Sequence, residues 1–413
     1  MEIISAPRTV DDTGVRRKVM EDLALKTLFM LGELTLRELA EHMCVPLPVV
    51  DEMFQRMRKD QLCQVTGMAA GIHRIVPTVE GKSRALELLA LSQYTGPAPV
   101  SFEAYAAQVH AQSVRQLDVD PALVEKAFER LVLGDRVLNQ LGTAVVSGKA
   151  IFLYGPPGTG KTSVAEAIWH LFGDEGVWVP HAVEVDGQII TVYDPHLHRP
   201  VDEAAPADHD QRWVLCHRPR VVVGGELTIE MLDLQFNPVT KFYAAPVQMK
   251  ANNGLLIIDD FGRQRVRPDE LLNRWVVPLD RSIDFLTLSG GKKLEIPFDV
   301  LVVFATNIDP AKLVDEAFLR RIQTKIKLDN VGDAQFHEIC RRVCADQRLE
   351  YHEGVVDHLI DLITHELQQP LRPCYPRDVI HQICWGARYE KKVPHLDRDS
   401  VEQACRTYFL TPT

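Results

Sequence analysis

At 413 residues, 46% of them hydrophobic and 25% charged, the chain is too long for a single hydrophobic core and too ordinary in composition for disorder, so two or three folding units are expected. A formal net charge of −11 repels nucleic-acid backbone overall, and any DNA contact would need a local basic surface. The eight cysteines form no CxxC pair and read as buried thiols, no apolar run approaches the roughly 20 residues of a membrane span, and the first residues lack the order of a signal peptide, so a cytoplasmic location is expected.

From about Met20 to Ser92 the periodicity is helical, starting with an apolar face of Leu23, Leu25, Leu28, Phe29 and Leu31. Thr35 and Glu38 make a T-x-x-E capping box for a second helix, and Pro46 to Pro48 open a third, VVDEMFQRMRKDQL. CQVTGMAAGIHRIVPT reads as two short strands and EGKSRALELLAL as a closing helix, an order that resembles a winged helix-turn-helix domain over residues 1–95. Its candidate recognition helix begins Val49, Val50, Asp51, Glu52, and residues 15–95 hold eleven Lys or Arg against ten Asp or Glu. Anions at the reading end are poor chemistry for a phosphate backbone, so protein docking or ring organisation is expected over DNA binding.

YTGPAPVS at 94–101 reads as a boundary, followed by a helical linker over 96–130. Strands and helices then alternate from about Ala150 to Asp329, the mark of an α/β unit with a parallel sheet covered on both faces, here assigned to 131–330. Residues 331–413 turn to purely helical periodicity, as in GVVDHLIDLITHEL, and form a separate helical domain.

The chemistry concentrates in three strand ends. AIFLYGPPGTGKTS matches the phosphate-binding pattern G-x-x-x-x-G-K-[ST] between an apolar strand and the expected helix SVAEAIWHLF. In this pattern the loop of Gly155, Pro156, Pro157, Gly158, Thr159, Gly160 and Ser163 shapes a cradle for ATP, the N–H groups coming from its non-proline residues, Lys161 reaches the terminal phosphates, and the Thr162 hydroxyl ligates magnesium. The loop residue between the glycines, Thr159, completes it. LLIIDD ends in Asp259, a magnesium carboxylate, and Asp260, a candidate to activate the attacking water. LVVFATN ends in Asn307, placed to contact the γ-phosphate or its water, and Arg320 and Arg321 downstream need an anionic partner.

These features together resemble the AAA+ ATPases over roughly residues 120–413: Walker A, Walker B, sensor 1, an arginine pair and a helical lid. The resemblance implies a three-layer αβα core, ATP hydrolysis, a ring that is usually a hexamer, an arginine finger acting in trans from Arg320 or Arg321, and Arg377 as sensor 2. The second acidic position is usually glutamate in that family; Asp260 is one methylene shorter, which sets the base about 1 Å farther from water and can cost about 100-fold in rate.

More than 80 residues separate the P-loop helix from Walker B, with a hairpin at Asp186-Gly187 in an insertion at about 181–240 and a second hairpin at Gly290-Gly291. This is similar to the helix-2-insert and pre-sensor-1 groups, MoxR-type ATPases most closely, although Phe261-Gly262-Arg263 replaces their Asn-Arg and only Arg263 carries across. GGELTIE at 224–230 is not the GAFTGA loop of enhancer-binding activators, so remodelling of an unidentified protein client is expected instead of a sigma factor. His196, His198 and His209 with Asp194 and Cys216 offer metal-ligand types, but three prolines make the segment a loop whose histidines need no common centre.

Overall fold

The computed structural model describes residues 3–173, 175–202, 206, 208–313 and 319–409. Five parallel strands lie in the order Arg220–Val223, Leu255–Ile258, Leu301–Thr306, Ile151–Tyr154, Thr324–Lys327. Every residue of Leu255–Ile258 and Leu301–Thr306 is buried, as their unbroken apolar runs require of strands covered on both faces. Phe152, Leu256, Phe304 and Trp275 fill one face, and Ile151, Leu153, Ile257, Val303 and Val164 the other. The expected α/β core is therefore present. Because the strands are parallel, Gly155, Asp259, Asn307 and Leu328 all emerge at one rim, beside the point where the first strand in the chain sits between the fourth and the fifth.

Arg220–Val223 corrects the sequence reading, which placed it inside the insertion; it is the edge of the core sheet, and its alternating exposed and buried residues are those of a half-covered strand. The hairpin Ala182–Val185/Gln188–Thr191 turns at Asp186 (φ 51°) and Gly187 (φ 85°), both left-handed as a two-residue type I′ turn demands. It anchors a second sheet whose far edge is Val100–Ser101. The 94–101 stretch, expected as a linker or domain boundary, thus enters a sheet, and the helix after it, Phe102–Ala111, sinks Tyr105 and Val109 among Trp178, Val183 and Tyr243. Proline and glycine marked a turn there, not an absence of packing. The second hairpin, Ile283–Thr287/Lys293–Pro297, adds Leu286 and Ile296 to that same core, and Lys292 pairs with Asp186 so that the two hairpin tips are bridged.

Residues ahead of this carry helices Arg17–Leu31, Leu36–Met43, Leu47–Lys59 and Val79–Leu91 and a three-stranded antiparallel sheet. The capping box forms: Thr35 Oγ1 accepts the Glu38 N–H at 3.1 Å, and the Glu38 carboxylate accepts the Thr35 N–H at 2.7 Å. Leu31, expected on the apolar face, is exposed. The core of Leu23, Leu28, Phe54 and Ile75 continues into Ala182 and Ile189 of the insertion hairpin, so the two are packed as one body. At the other end, helices Asp333–Asp346, Glu353–Asp361, Cys374–Tyr389 and Arg398–Tyr408 enclose their own core around Phe336, Val379 and Val401.

Candidate functional site

The phosphate loop is shaped by what no side chain could share. Gly155 has φ 146°, and a Cβ there would stand 2.0 Å from the Leu328 carbonyl of the adjacent strand. At Gly158 a Cβ would stand 2.6 Å from Cys374 Sγ, and the Cys374 N–H donates to the Gly158 carbonyl at 3.2 Å, tying the C-terminal helical domain directly to the loop. Gly160 at φ 84° caps the helix Lys161–Ala167, which tightens into a 3₁₀ turn at Ile168–Phe172 instead of running α-helical to 172. Lys161 Nζ donates to the carbonyls of Pro156 at 2.7 Å and Gly155 at 3.1 Å, so the ammonium already sits in the cradle where phosphate oxygens would take over those bonds. Burial lowers its pKa, opposed by the charges of Asp260 and Asp259.

The acidic side of the rim closes against the loop. Thr162 Oγ1 donates to Asp259, 2.9 and 3.1 Å from the two carboxylate oxygens, so a hydroxyl and a carboxylate meet at one point, an all-oxygen donor set that fits magnesium. Asn307 Nδ2 donates to Asp260 Oδ1 at 3.1 Å. Asp260 itself has φ 49°, a left-handed conformation that Asp and Asn adopt several-fold more readily than other non-glycine residues. The shorter acid therefore suits this backbone. The turn is stapled to the neighbouring strand: the Phe261 N–H donates to the Ala305 carbonyl and Thr306 Oγ1 to the Phe261 carbonyl, both at 2.7 Å, with Phe261 packed edge-on against Phe152 and Phe304.

These groups line one cavity of about 1110 Å³, which reaches from Lys161 past Asp260 and Asn307 to an apolar end at Leu131 to Leu133 and to Arg377 on the C-terminal domain. Arg377, in the first turn of Cys374–Tyr389, is largely exposed and donates to Asp378 at 3.0 Å. Arg320 and Arg321 are not brought there. They line a separate cavity of about 350 Å³ with Lys149, Asp280 and Gln323, and Arg321 Nε donates to Asp280 at 3.0 Å. Lys149 precedes Ile151–Tyr154 and Arg321 precedes Thr324–Lys327, so this second cavity lies at the amino ends of strands whose carboxyl ends carry the P-loop, a strand length of about 13 Å away.

Two groups, Arg342 in the lining and Gln264 behind it, carry no sequence signal. Arg342, gripped by Glu338 at 2.7 Å, donates to the Glu129 carbonyl at 2.5 Å and so straps the C-terminal domain to the apolar end of the cavity. Gln264 bonds the backbone of the Asp259 turn. The insertion histidines do not converge: His198 Nδ1 accepts the Asp194 N–H and its Nε2 faces the Lys250 carbonyl at 2.8 Å, which fixes a neutral ring protonated at Nε2, while His209 bonds the Pro206 carbonyl. Burial accordingly lowers the His198 pKa. Among the described residues no three His, Cys, Asp or Glu are grouped to hold a metal, and no helix is long and apolar enough to cross a membrane.

Among solved structures, the chain is similar to the RuvB Holliday junction branch migration motor of Thermotoga maritima, at 15% identity over 69% of this chain and 72% of that one with a TM-score of 0.41. It is also similar to NtrX of Brucella abortus in complex with ADP, at 15% identity over 70% and 58% of the two chains with a TM-score of 0.41. No curated protein matches the chain. Residues 332–407 match a domain of unknown function, DUF8689. Residues 151–196, which hold the phosphate loop, match the ATPase family associated with various cellular activities, AAA.

Proposed function

We propose that this chain is an AAA+ ATPase that couples ATP binding and hydrolysis to remodelling or assembly of a protein partner, working in the cytoplasm as a homo-oligomeric ring of the MoxR kind. The observation that carries the reading is the convergence of Lys161, Thr162, Asp259, Asp260 and Asn307 on one cavity at the carboxyl rim of a parallel sheet. Lys161 holds the terminal phosphates, Thr162 and Asp259 hold magnesium, Asp260 accepts the proton of the attacking water, and Asn307 keeps that carboxylate aimed. Magnesium, when bound, neutralises charge on the phosphate oxygens. Arg377 joins from the lid.

The placement of Arg320 and Arg321 supports the ring. A strand length from their own chain's loop, they serve a nucleotide only if a second copy presents one. Mixing subunits tests this: Arg320→Ala or Arg321→Ala rings are expected to be inactive alone, and the finger variant regains turnover when co-assembled with Lys161→Ala subunits that still carry the arginine. No recovery with either arginine would remove the trans role.

The four helices and three antiparallel strands of the N-terminal unit support a winged-helix reading, and its details support a protein-facing role. Val49 and Val50 are buried, and Glu52 at the reading end is spent on Arg17 and on the Val10 N–H. The wing tip is Met68-Ala69-Ala70-Gly71, without a cation for phosphate. Because this unit shares a core with the insertion, the assay uses the full chain: micromolar or weaker DNA binding at physiological salt is expected, and nanomolar binding with a steep salt slope would replace the remodelling reading by that of a nucleotide-switched DNA-binding regulator.

A further inference from the structure

We propose that Gln264 is a positioning residue for hydrolysis, acting on turnover through Asp260 and leaving nucleotide binding alone; this rests on Asp260 as the water-activating group. Its amide is used at both ends on one turn. Nε2 donates to the Asp259 carbonyl at 2.7 Å, and Oε1 accepts the Gly262 N–H at 2.8 Å. The turn so clamped holds two residues in unusual backbone: Asp260 at φ 49° and Gly262 at φ 102°, where a Cβ would stand 2.8 Å from Leu313 Cδ2.

The main chain contributes one closing bond of its own, from the Arg263 N–H to the Asp260 carbonyl at 3.0 Å, and the Asp260 carboxylate accepts from Asn307 Nδ2 at 3.1 Å. With Asn307 holding one oxygen, the rest of that carboxylate's direction comes from the backbone beneath it. A side chain that spans from residue 259 to residue 262 fixes this backbone through main-chain groups, the Asp259 carbonyl and the Gly262 N–H, whereas Thr162 uses the Asp259 carboxylate and Lys161 the carbonyls of the phosphate loop. Loss of the clamp lets Asp260 leave the left-handed region without disturbing the phosphate cradle.

Gln264→Leu removes both bonds. The expected result is an ATP dissociation constant within about 2-fold of wild type and a turnover about 10- to 100-fold lower, the size of effect that a misplacement near 1 Å produces. In an Asp260→Asn background the same substitution should add less than about 2-fold, because a group that acts through Asp260 has nothing left to position. Equal loss in both backgrounds, or loss of ATP affinity in step with turnover, would overturn the proposal.

Gln264→Glu supplies a second readout that survives if the leucine variant folds poorly. It keeps the acceptor for the Gly262 N–H and loses only the donor to the Asp259 carbonyl, so half of the clamp remains. Turnover should fall less than in Gln264→Leu, with the ATP dissociation constant again within about 2-fold of wild type; loss of ATP affinity in step with turnover counts against the proposal. Wild-type turnover by Asp260→Asn alone would instead bring down the premise, whatever Gln264 does.

Discussion

In the Asp260→Asn protein ATP is expected to bind with wild-type affinity while steady-state hydrolysis falls by about 10²- to 10⁴-fold, the usual contribution of a positioned general base. The substitution is close to isosteric, and asparagine tolerates the φ of 49° as aspartate does. Its carbonyl can still accept from Asn307, so the turn keeps its shape and only the proton acceptor disappears. Lys161→Ala separates the two halves of the site in the opposite direction: it empties the cradle of the ammonium now held by the Gly155 and Pro156 carbonyls, and nucleotide binding itself should be lost. Fluorescent-ATP titration beside phosphate release distinguishes the pair. Turnover unchanged in Asp260→Asn would show that another group activates water. Asp260→Glu, which restores the longer acid, should not accelerate the enzyme, because glutamate gains reach but not the left-handed backbone that aims it.

The parts of this site that were legible in the sequence are those whose geometry is forced locally. An apolar run that must be buried on both faces, followed by a polar residue, can only end at the rim of a parallel sheet, so Lys161, Asp259, Asp260 and Asn307 were placed together by their strands alone. What escaped is nonlocal. Arg220–Val223 reads like any short strand, and its membership of the core sheet depends on Leu255–Ile258 lying beside it. Val100–Ser101 looked like a boundary because prolines surround it, and only the hairpin Ala182–Val185 more than 80 residues away gives it a partner. Gln264 is a polar side chain in a loop until the Asp259 carbonyl is found 2.7 Å from it. The distance between Arg321 and the P-loop likewise follows from which end of a strand each occupies, a matter of chain direction that motif spacing does not contain.

Arg212→Ala should cost roughly 3–5 kcal/mol, the range seen when one member of a buried pair is removed. The guanidinium is 4% exposed and fully used. Nε and Nη2 fork onto Asp210 at 2.8 to 3.1 Å, and Nη1 donates to the carbonyls of Thr13 at 2.9 Å and Pro99 at 3.0 Å. Truncation leaves a buried carboxylate uncompensated and two carbonyls orphaned, each on a different segment. Arg212→Lys should rescue little, because an ammonium cannot present the planar fork that Asp210 receives, and adding Asp210→Ala to Arg212→Ala should restore part of the loss, since the stranded charge goes with it. The three segments that meet here are the N-terminal arm, the 94–101 stretch and the insertion, whereas the sheet that carries the nucleotide site has its own separate cores. Urea unfolding followed by a probe in the N-terminal unit should therefore shift to lower denaturant while ATP binding, followed in parallel, persists to the original midpoint. If hydrolysis is transmitted as motion of the insertion to a protein partner, as proposed, the same variant should hydrolyse ATP at a normal rate and remodel that partner more slowly, since one tie between the N-terminal unit and the insertion is lost while their shared core at Ala182 and Ile189 remains; coincident loss of both transitions would show instead that the chain unfolds as a single unit and that the joint is not a separable lever.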